Sequence, residues 1–291
     1  MADDDIVIIT RAYIFSEDLV KVSTRIYESI VNCSLFVYSL VHAYGLLATC
    51  TGQESQRFLV VRPRPAGQKE FLGYHTQVSE CGLEDDCPMF HGIKDYITLV
   101  AGVTLTGAAA TRNDISDIAI CWDGGSVIIC RHHAKKAWAS AFCYIADCVL
   151  AILFLKRTIP KPHAASQAFH KPGSTAAAQV LTLSIHHAAP GFFPLPLKAR
   201  APNKTFLRIW PIIEHVKDIF RPDFIIVQCG LDGLAGSLGW CMHRIIREWQ
   251  GKKCYLAEAL GGYDTPNAAQ AWTYLTSVAV CLNLRFWFVI Y

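Results

Sequence analysis

The chain is expected to be an α/β protein, a central parallel sheet covered by helices on both faces. Three observations predict this. Short β-branched runs alternate with longer helical stretches along the chain. The strand runs are continuously apolar instead of alternating, as strands buried on both faces must be. The chain is also long enough: 291 residues, 52% of them hydrophobic and 18% charged, can bury one substantial core.

Taken in order, the strand candidates are Ile6–Ile9, Asp117–Trp122, Val180–His186, Phe224–Gly230 and Cys254–Leu260. Each is bounded by turn residues or charge. Between them lie the helix candidates. Residues 24–48 carry Ile26, Ile30, Leu35, Val41 and Leu46 at roughly helical spacing. Residues 93–111 and 137–156 are apolar nearly all round, which implies burial on most sides. Asn203–Phe220 and Pro266–Leu282 complete the set. Segments 51–70 and 157–178, rich in Pro, Gly, Ser and Lys, read as loops. With no repeat and no linker, residues 1–291 read as a single domain.

Composition excludes several classes. A net charge of +3, with basic residues scattered in pairs such as Lys135-Lys136 and Lys252-Lys253, argues against direct nucleic-acid binding. Twelve cysteines contain no Cys-x-x-Cys pair, so a zinc finger or dithiol redox motif is not expected. Cys143, Cys148 and Cys281 sit in apolar runs and read as small buried hydrophobes. The start, MADDDIVIIT, is acidic and lacks the basic region of a secretory signal. No uncharged run is long enough to span a bilayer, the apolar tail Phe286–Tyr291 included. A reducing compartment is expected.

In open parallel sheets, ligands bind at the carboxyl ends of the strands. There the sequence is chemically rich. Asp123-Gly124-Gly125 and then His132-His133 follow the second strand candidate. His187 and Pro190-Gly191-Phe192-Phe193 follow the third, Asp232 the fourth, and Gly261-Gly262-Tyr263 the fifth. Asp232 is suited to hold a metal and the histidines to move protons. Each feature also has a plain structural reading. A lone His pair is more often a surface or packing feature, an Asp often caps a helix, and the phenylalanines suit a core. Glu84-Asp85-Asp86 suits a solvated loop.

Four stretches in the right order carry a resemblance: RHHAKKAWASAFCYIADCVLAIL, VLTLSIHHAAPGFFP, VQCGLDGLAG and GGYDTPNAAQAWTYLT. They resemble the zinc-dependent histone deacetylases, with a class I-like, fungal flavour. LVHAYGLL and LEDDCPMFHGIKDY add weaker matches, so the likeness runs over most of residues 10–280. It implies a three-layer arginase/deacetylase-like fold with a central, mainly parallel sheet. It implies hydrolysis of the acetyl-lysine amide on histones or other proteins. In the family a zinc ion held by two aspartates and a histidine polarises the acetyl carbonyl and activates water. A histidine takes the water's proton, and a tyrosine stabilises the oxyanion. Carried over, His132 and His133 match the tandem catalytic histidines, with His133 as general base. Asp232 matches a zinc ligand and Tyr263 the oxyanion tyrosine. Phe142 and Phe193 match the aromatic walls of the lysine channel, and Asp86 matches the rim aspartate that holds the substrate backbone. His186 and His187 match no family ligand. The resemblance further implies a nuclear location, with cytoplasm as a second possibility, corepressor partners, no nucleic-acid contact and no membrane.

The chain departs from the family in blocks. The family's central strand bears an Asp-x-Asp-x-His run that supplies the other two zinc ligands. Here the chain reads LFLKRTIPKPHAASQAFHKPGS. Pro160 and Pro162, one residue apart, cannot build an interior strand, and His163 is the only nearby donor. One central strand is therefore expected to be missing. Ser126–Cys130 is inserted before Arg131, Ala259 and Leu260 stand where the family prefers glycines, and the C-terminus is short of the family's closing segment. Losses at exon edges, in a mis-spliced or misassembled reading frame, account for such abrupt gaps. Two functions of different class follow: a zinc-dependent lysine deacetylase, or a catalytically dead deacetylase-like binding protein. An amidohydrolase of the same fold acting on small acetylated amines is a weaker third reading.

Overall fold

In the computed structural model, the structure describes residues 9–23, 33–47, 58–71, 91–123, 145–157, 180–183, 205–230, 235–249, 251–259 and 265–280. In chain order the elements are β1 (Arg11–Ile14), α1 (Glu17–Ser23), α2 (Cys33–Ala43), β2 (Phe58–Val61) and α3 (Gln68–Phe71). Then come α4 (Ile93–Arg112), β3 (Ile118–Cys121), α5 (Asp147–Arg157), α6 (Thr205–Phe220), β4 (Phe224–Gly230), α7 (Ala235–Glu248), β5 (Lys253–Ala259) and α8 (Thr265–Ala279).

Among the described residues the strands form one all-parallel sheet of five, in the order β2-β1-β3-β5-β4. Arg11 stands opposite Phe58 on one side and Ile118 on the other. Ile118 faces Cys254, and Phe224 faces Lys253. Because successive residues point to opposite faces, each strand divides its side chains between two cores. Tyr13, Ile118, Ile120, Trp122 and Leu256 pack on one face with Val37 and Val41 of α2, Met242 of α7, and Trp272 and Leu275 of α8. Ala12, Ile14, Ala119, Cys121 and Tyr255 pack on the other with Leu19 of α1, Val100 and Val103 of α4, and Cys148 and Leu150 of α5. Helix, sheet and helix make three layers, as expected.

The second face is close-packed by small residues. A Cβ at Gly102 of α4 would collide with the backbone carbonyl of Arg64, and one at Gly107 with the Tyr255 ring. These glycines let α4 lie directly on the chain beneath it.

Several expectations shift. The first strand is Arg11–Ile14, not Ile6–Ile9; Ile9 precedes it, and residues 6–8 lie outside the described ones. Arg11 conceals the strand in the sequence, yet it is 5% exposed. Its Nε donates to the Ala279 carbonyl at 2.6 Å, at the C-terminus of α8, and its Nη1 donates to the Ile9 carbonyl at 2.8 Å. The stretch 51–70, read as a loop, contains β2 and the start of α3. The helix expected over 24–48 is α2, Cys33–Ala43, with 24–32 and 48 outside the described residues. That over 137–156 is α5, beginning at Asp147, with 137–144 likewise outside. Residues 180–183 of the predicted Val180–His186 strand are described and are not a strand. Nothing within the described sheet lies beyond β4 for them to pair with, and Leu181 and Leu183 are 40% and 56% exposed. The helix candidates over 93–111, 203–220 and 266–282 and the strand Phe224–Gly230 are found within two or three residues of expectation.

Candidate functional site at the carboxyl ends of the strands

A parallel sheet delivers all its carboxyl ends to one rim. Here β3, β5 and β4 are consecutive neighbours, and Gly230 and Ala259 stand opposite each other as the last paired residues. Asp232 is two residues beyond Gly230 in the chain, and Tyr263 four beyond Ala259. His132 and His133 belong to the stretch between Asp123, just past β3, and α5. All seven expected site residues, Asp86, His132, His133, Phe142, Phe193, Asp232 and Tyr263, lie outside the described residues, as does His163. The described structure thus gives the frame from which the chain enters three of these stretches on adjoining strands.

That frame is rigidly braced. Trp122, directly after β3, stacks on Trp272 of α8 with ring centroids 6.1 Å apart and planes at 20°. Its indole N–H donates to Thr276 Oγ1 at 2.8 Å, and that of Trp272 donates to the Cys229 carbonyl at 2.9 Å. Both rings are about 2% exposed, so β3 and β4 are tied through α8 just below the rim. A buried indole keeps its hydrogen bond because leaving the donor unpaired costs about 1–3 kcal/mol.

A second buried polar cluster supports the start of α5. Asp147 is fully buried. Its Oδ2 accepts from Thr104 Oγ1 of α4 at 2.8 Å, and its Oδ1 from the Cys148 amide at 2.7 Å. Gln228 Nε2 donates to Cys148 Sγ at 3.2 Å, reaching from β4. The Asp147 carboxylate therefore fixes the helix that follows the paired histidines in the chain. Sequence reading missed it; the signal was a lone acid opening the apolar run DCVLAILFL. The thiols here are inert: burial, and then the Asp147 charge, push Cys148 well up, and burial pushes Cys254 up to about 12. Cys148 is buried as expected, whereas Cys143 and Cys281 lie outside the described residues.

The donor set does not fit a catalytic zinc site. Such a site takes three protein ligands. The family resemblance assigns one ligand, Asp232, and the stretch Thr158–Pro162 carries no His, Cys, Asp or Glu. Among the described residues no group of three His, Cys, Asp or Glu side chains is placed to hold a metal ion.

A sequence model of the histone deacetylase domain matches residues 40–162. The match ends at Pro162, within the stretch where the Asp-x-Asp-x-His run is absent. The chain is 29% identical to Histone deacetylase 8 of Xenopus tropicalis over 323 aligned positions, 92% of this chain and 83% of the relative. It is 30% identical to Histone deacetylase 8 of Xenopus laevis over 276 positions, 76% and 82% of the two chains. It is 29% identical to Histone deacetylase B of Dictyostelium discoideum, over 83% and 67%. Against Xenopus tropicalis, 92% of 291 residues is about 268, spread over 323 positions, so about 55 positions of the relative have no counterpart here. The fold, the order of its motifs and these relatives agree: the chain belongs to the histone deacetylase family.

Proposed function

We propose that this chain keeps the acetyl-lysine-recognising half of the family's deacetylase activity and lacks the zinc-dependent hydrolytic half, acting as a deacetylase-like binding protein of the nucleus. In this reading Phe142 and Phe193 flank the methylene stem of an acetylated lysine of a histone or other protein. Asp86 accepts a hydrogen bond from the substrate backbone. The Tyr263 hydroxyl donates to the acetyl oxygen, while His132 and His133 face the amide. Corepressor-type proteins are the partners that a nuclear member of this family would serve in transcriptional repression. No described helix is long and apolar enough to cross a membrane.

One observation carries the reading: the block that should hold two of three zinc ligands reads Thr158-Ile159-Pro160-Lys161-Pro162. A zinc held by Asp232 and a displaced His163 would be held poorly. The intact His132-His133, Asp232 and Tyr263 motifs favour a second reading, zinc-dependent hydrolysis of acetyl-lysine by this chain. Metal analysis, peptide binding and turnover on the purified protein separate the two. The first expects well under one zinc per chain, no hydroxamate-sensitive turnover, and preference for an acetylated over an unacetylated peptide that Phe142→Ala abolishes. One zinc per chain with hydroxamate-sensitive release of acetate establishes the second. Equal binding of both peptides removes the first.

A further inference from the structure

Helix α5 begins on a fully buried carboxylate. The Ala146 carbonyl accepts from the Leu150 amide at 3.0 Å, and Asp147 is the first residue of the helix. The Cys148 amide is one of the donors that a helix start leaves without an intrahelical acceptor; Asp147 Oδ1 accepts from it. Asp147 Oδ2 accepts from the Thr104 hydroxyl of α4. A buried carboxylate is a costly way to join two helices, because desolvating the charge offsets much of what its hydrogen bonds contribute. What it supplies is direction: two directed hydrogen bonds fix where the start of α5 lies against α4.

A further contact ties the same spot to the sheet. Gln228 of β4 donates from Nε2 to Cys148 Sγ at 3.2 Å. Asp147 and Cys148 therefore hold α5 both to α4 and to β4. From here the chain leads to candidate site residues in two directions. Ile145 and Ala146, 3% and 8% exposed, extend the packed region backwards, and Phe142 is three residues before Ile145. A chain spans at most about 3.5 Å per residue, so the Phe142 backbone is confined to within about 11 Å of that of Ile145. Asp232, two residues past Gly230, is confined to within about 7 Å of the end of β4 by the same reach.

We propose that Asp147 is a positioning residue for acetyl-lysine recognition. Through Thr104 and Cys148 it sets the anchor from which the Phe142 stretch is held relative to the strand leading to Asp232. This rests on the acetyl-lysine reading above. Asp147 touches no substrate in it and acts through the chain leading to Phe142.

Peptide binding by folded variants tests this. Thr104→Val removes the donor to Asp147 and keeps the shape of the side chain; Thr104→Ser keeps the donor. Below the unfolding transition of each protein, the preference for an acetylated over an unacetylated lysine peptide is expected to fall about tenfold in Thr104→Val, the scale of one hydrogen bond to a charged group. Thr104→Ser is expected to restore it. A residue that only stabilised the fold would lower the thermal midpoint and leave that preference as in the wild type. Gln228→Met, which removes the donor to Cys148 Sγ, supplies the same comparison should Thr104→Val not fold. Hydrogen exchange over residues 133–146 needs no ligand: it is expected to quicken in Thr104→Val and not in Thr104→Ser. Full preference in folded Thr104→Val, or unchanged exchange over 133–146, overturns the proposal. Equal binding of both peptides by the wild type removes the acetyl-lysine reading instead, and the exchange comparison then decides whether Asp147 positions this stretch.

Discussion

The two sides of the sheet differ sharply. On the β1–β3 side, Ala12, Ile14, Ala119, Ile120 and Cys121 are completely buried, with helices on both faces and a strand on each edge. On the β4 side, a strand of equal apolarity is half-buried, and the helix leading into it leaves Leu207, Ile212 and Ile219 at 62%, 62% and 71% exposed. That helix, α6, is held chiefly at one spot. Trp210 stacks on Trp249 at 5.6 Å and meets Trp240 edge-on at 5.2 Å. Glu214 accepts from Arg244 at 2.9 Å. Hydrophobicity sets what a segment is able to bury; its neighbours set whether it does.

The comparison breaks most readily at the joint between the sides. Trp272→Ala deletes a buried indole that both stacks on Trp122 and holds the Cys229 carbonyl. Urea unfolding is expected to show a loss of about 3–5 kcal/mol. A loss under about 1 kcal/mol would mean that α8 does not unite the two sides. Next, matched truncations weigh the sides against each other. Ile120→Ala in β3 is expected to cost about 3 kcal/mol and Ile226→Ala in β4 roughly half of that, since part of its side chain is already in water. Equal losses would erase the distinction.

A smaller effect comes from the amino ends of the strands. Asp117 is partly desolvated, which pushes its carboxyl up, but hydrogen bonds from Lys253 and Thr10 outweigh this and hold it below the usual carboxylate range. The Lys253 ammonium lies 2.8 Å from Asp117 and 3.0 Å from Asp114. Against its own partial burial, they raise its pKa. A folded carboxyl pKa below the unfolded value, about 3.9, stabilises above that pH and loses the contribution as pH falls through the folded value. The lysine contribution is complete below its unfolded pKa and is lost as pH rises through the folded one. Asp117→Asn is therefore expected to lower the thermal midpoint at pH 7 by a few degrees and to flatten the acid limb of a midpoint-against-pH curve. An unchanged acid limb would remove Asp117 from the account. Smallest of all, Ile219→Ser on the exposed face of α6 is expected to change stability by less than about 0.5 kcal/mol in the same urea titration. A larger loss would show that this face is covered.

Much of the frame was legible from pattern. The α4, α6 and α8 helices and the strands β3, β4 and β5 are long or strongly apolar, and local periodicity suffices for them. The misplaced pieces have specific causes. Strand β1 hides behind Arg11, whose buried guanidinium donates to the nearby Ile9 carbonyl and to the distant Ala279 carbonyl. Strand β2 has four residues within a polar stretch, too few for a period to show. Helix α7 opens on Ala-Gly-Ser, and Gly239 is required where the Tyr274 ring comes close. The site residues were legible as a motif order alone, and their side chains fall outside the described residues.

By itself, the sequence determined which segments are apolar enough to be strands and helices, and which donors the chain carries for a metal. Both are properties of residue identity and near-neighbour spacing. Only the tertiary structure decided that Leu181–Leu183 stand exposed while β4 forms a half-buried edge of the described sheet, and that Asp147 is anchored by Thr104. Those depend on which element lies beside which, and contacts between residues far apart in the chain leave no local trace.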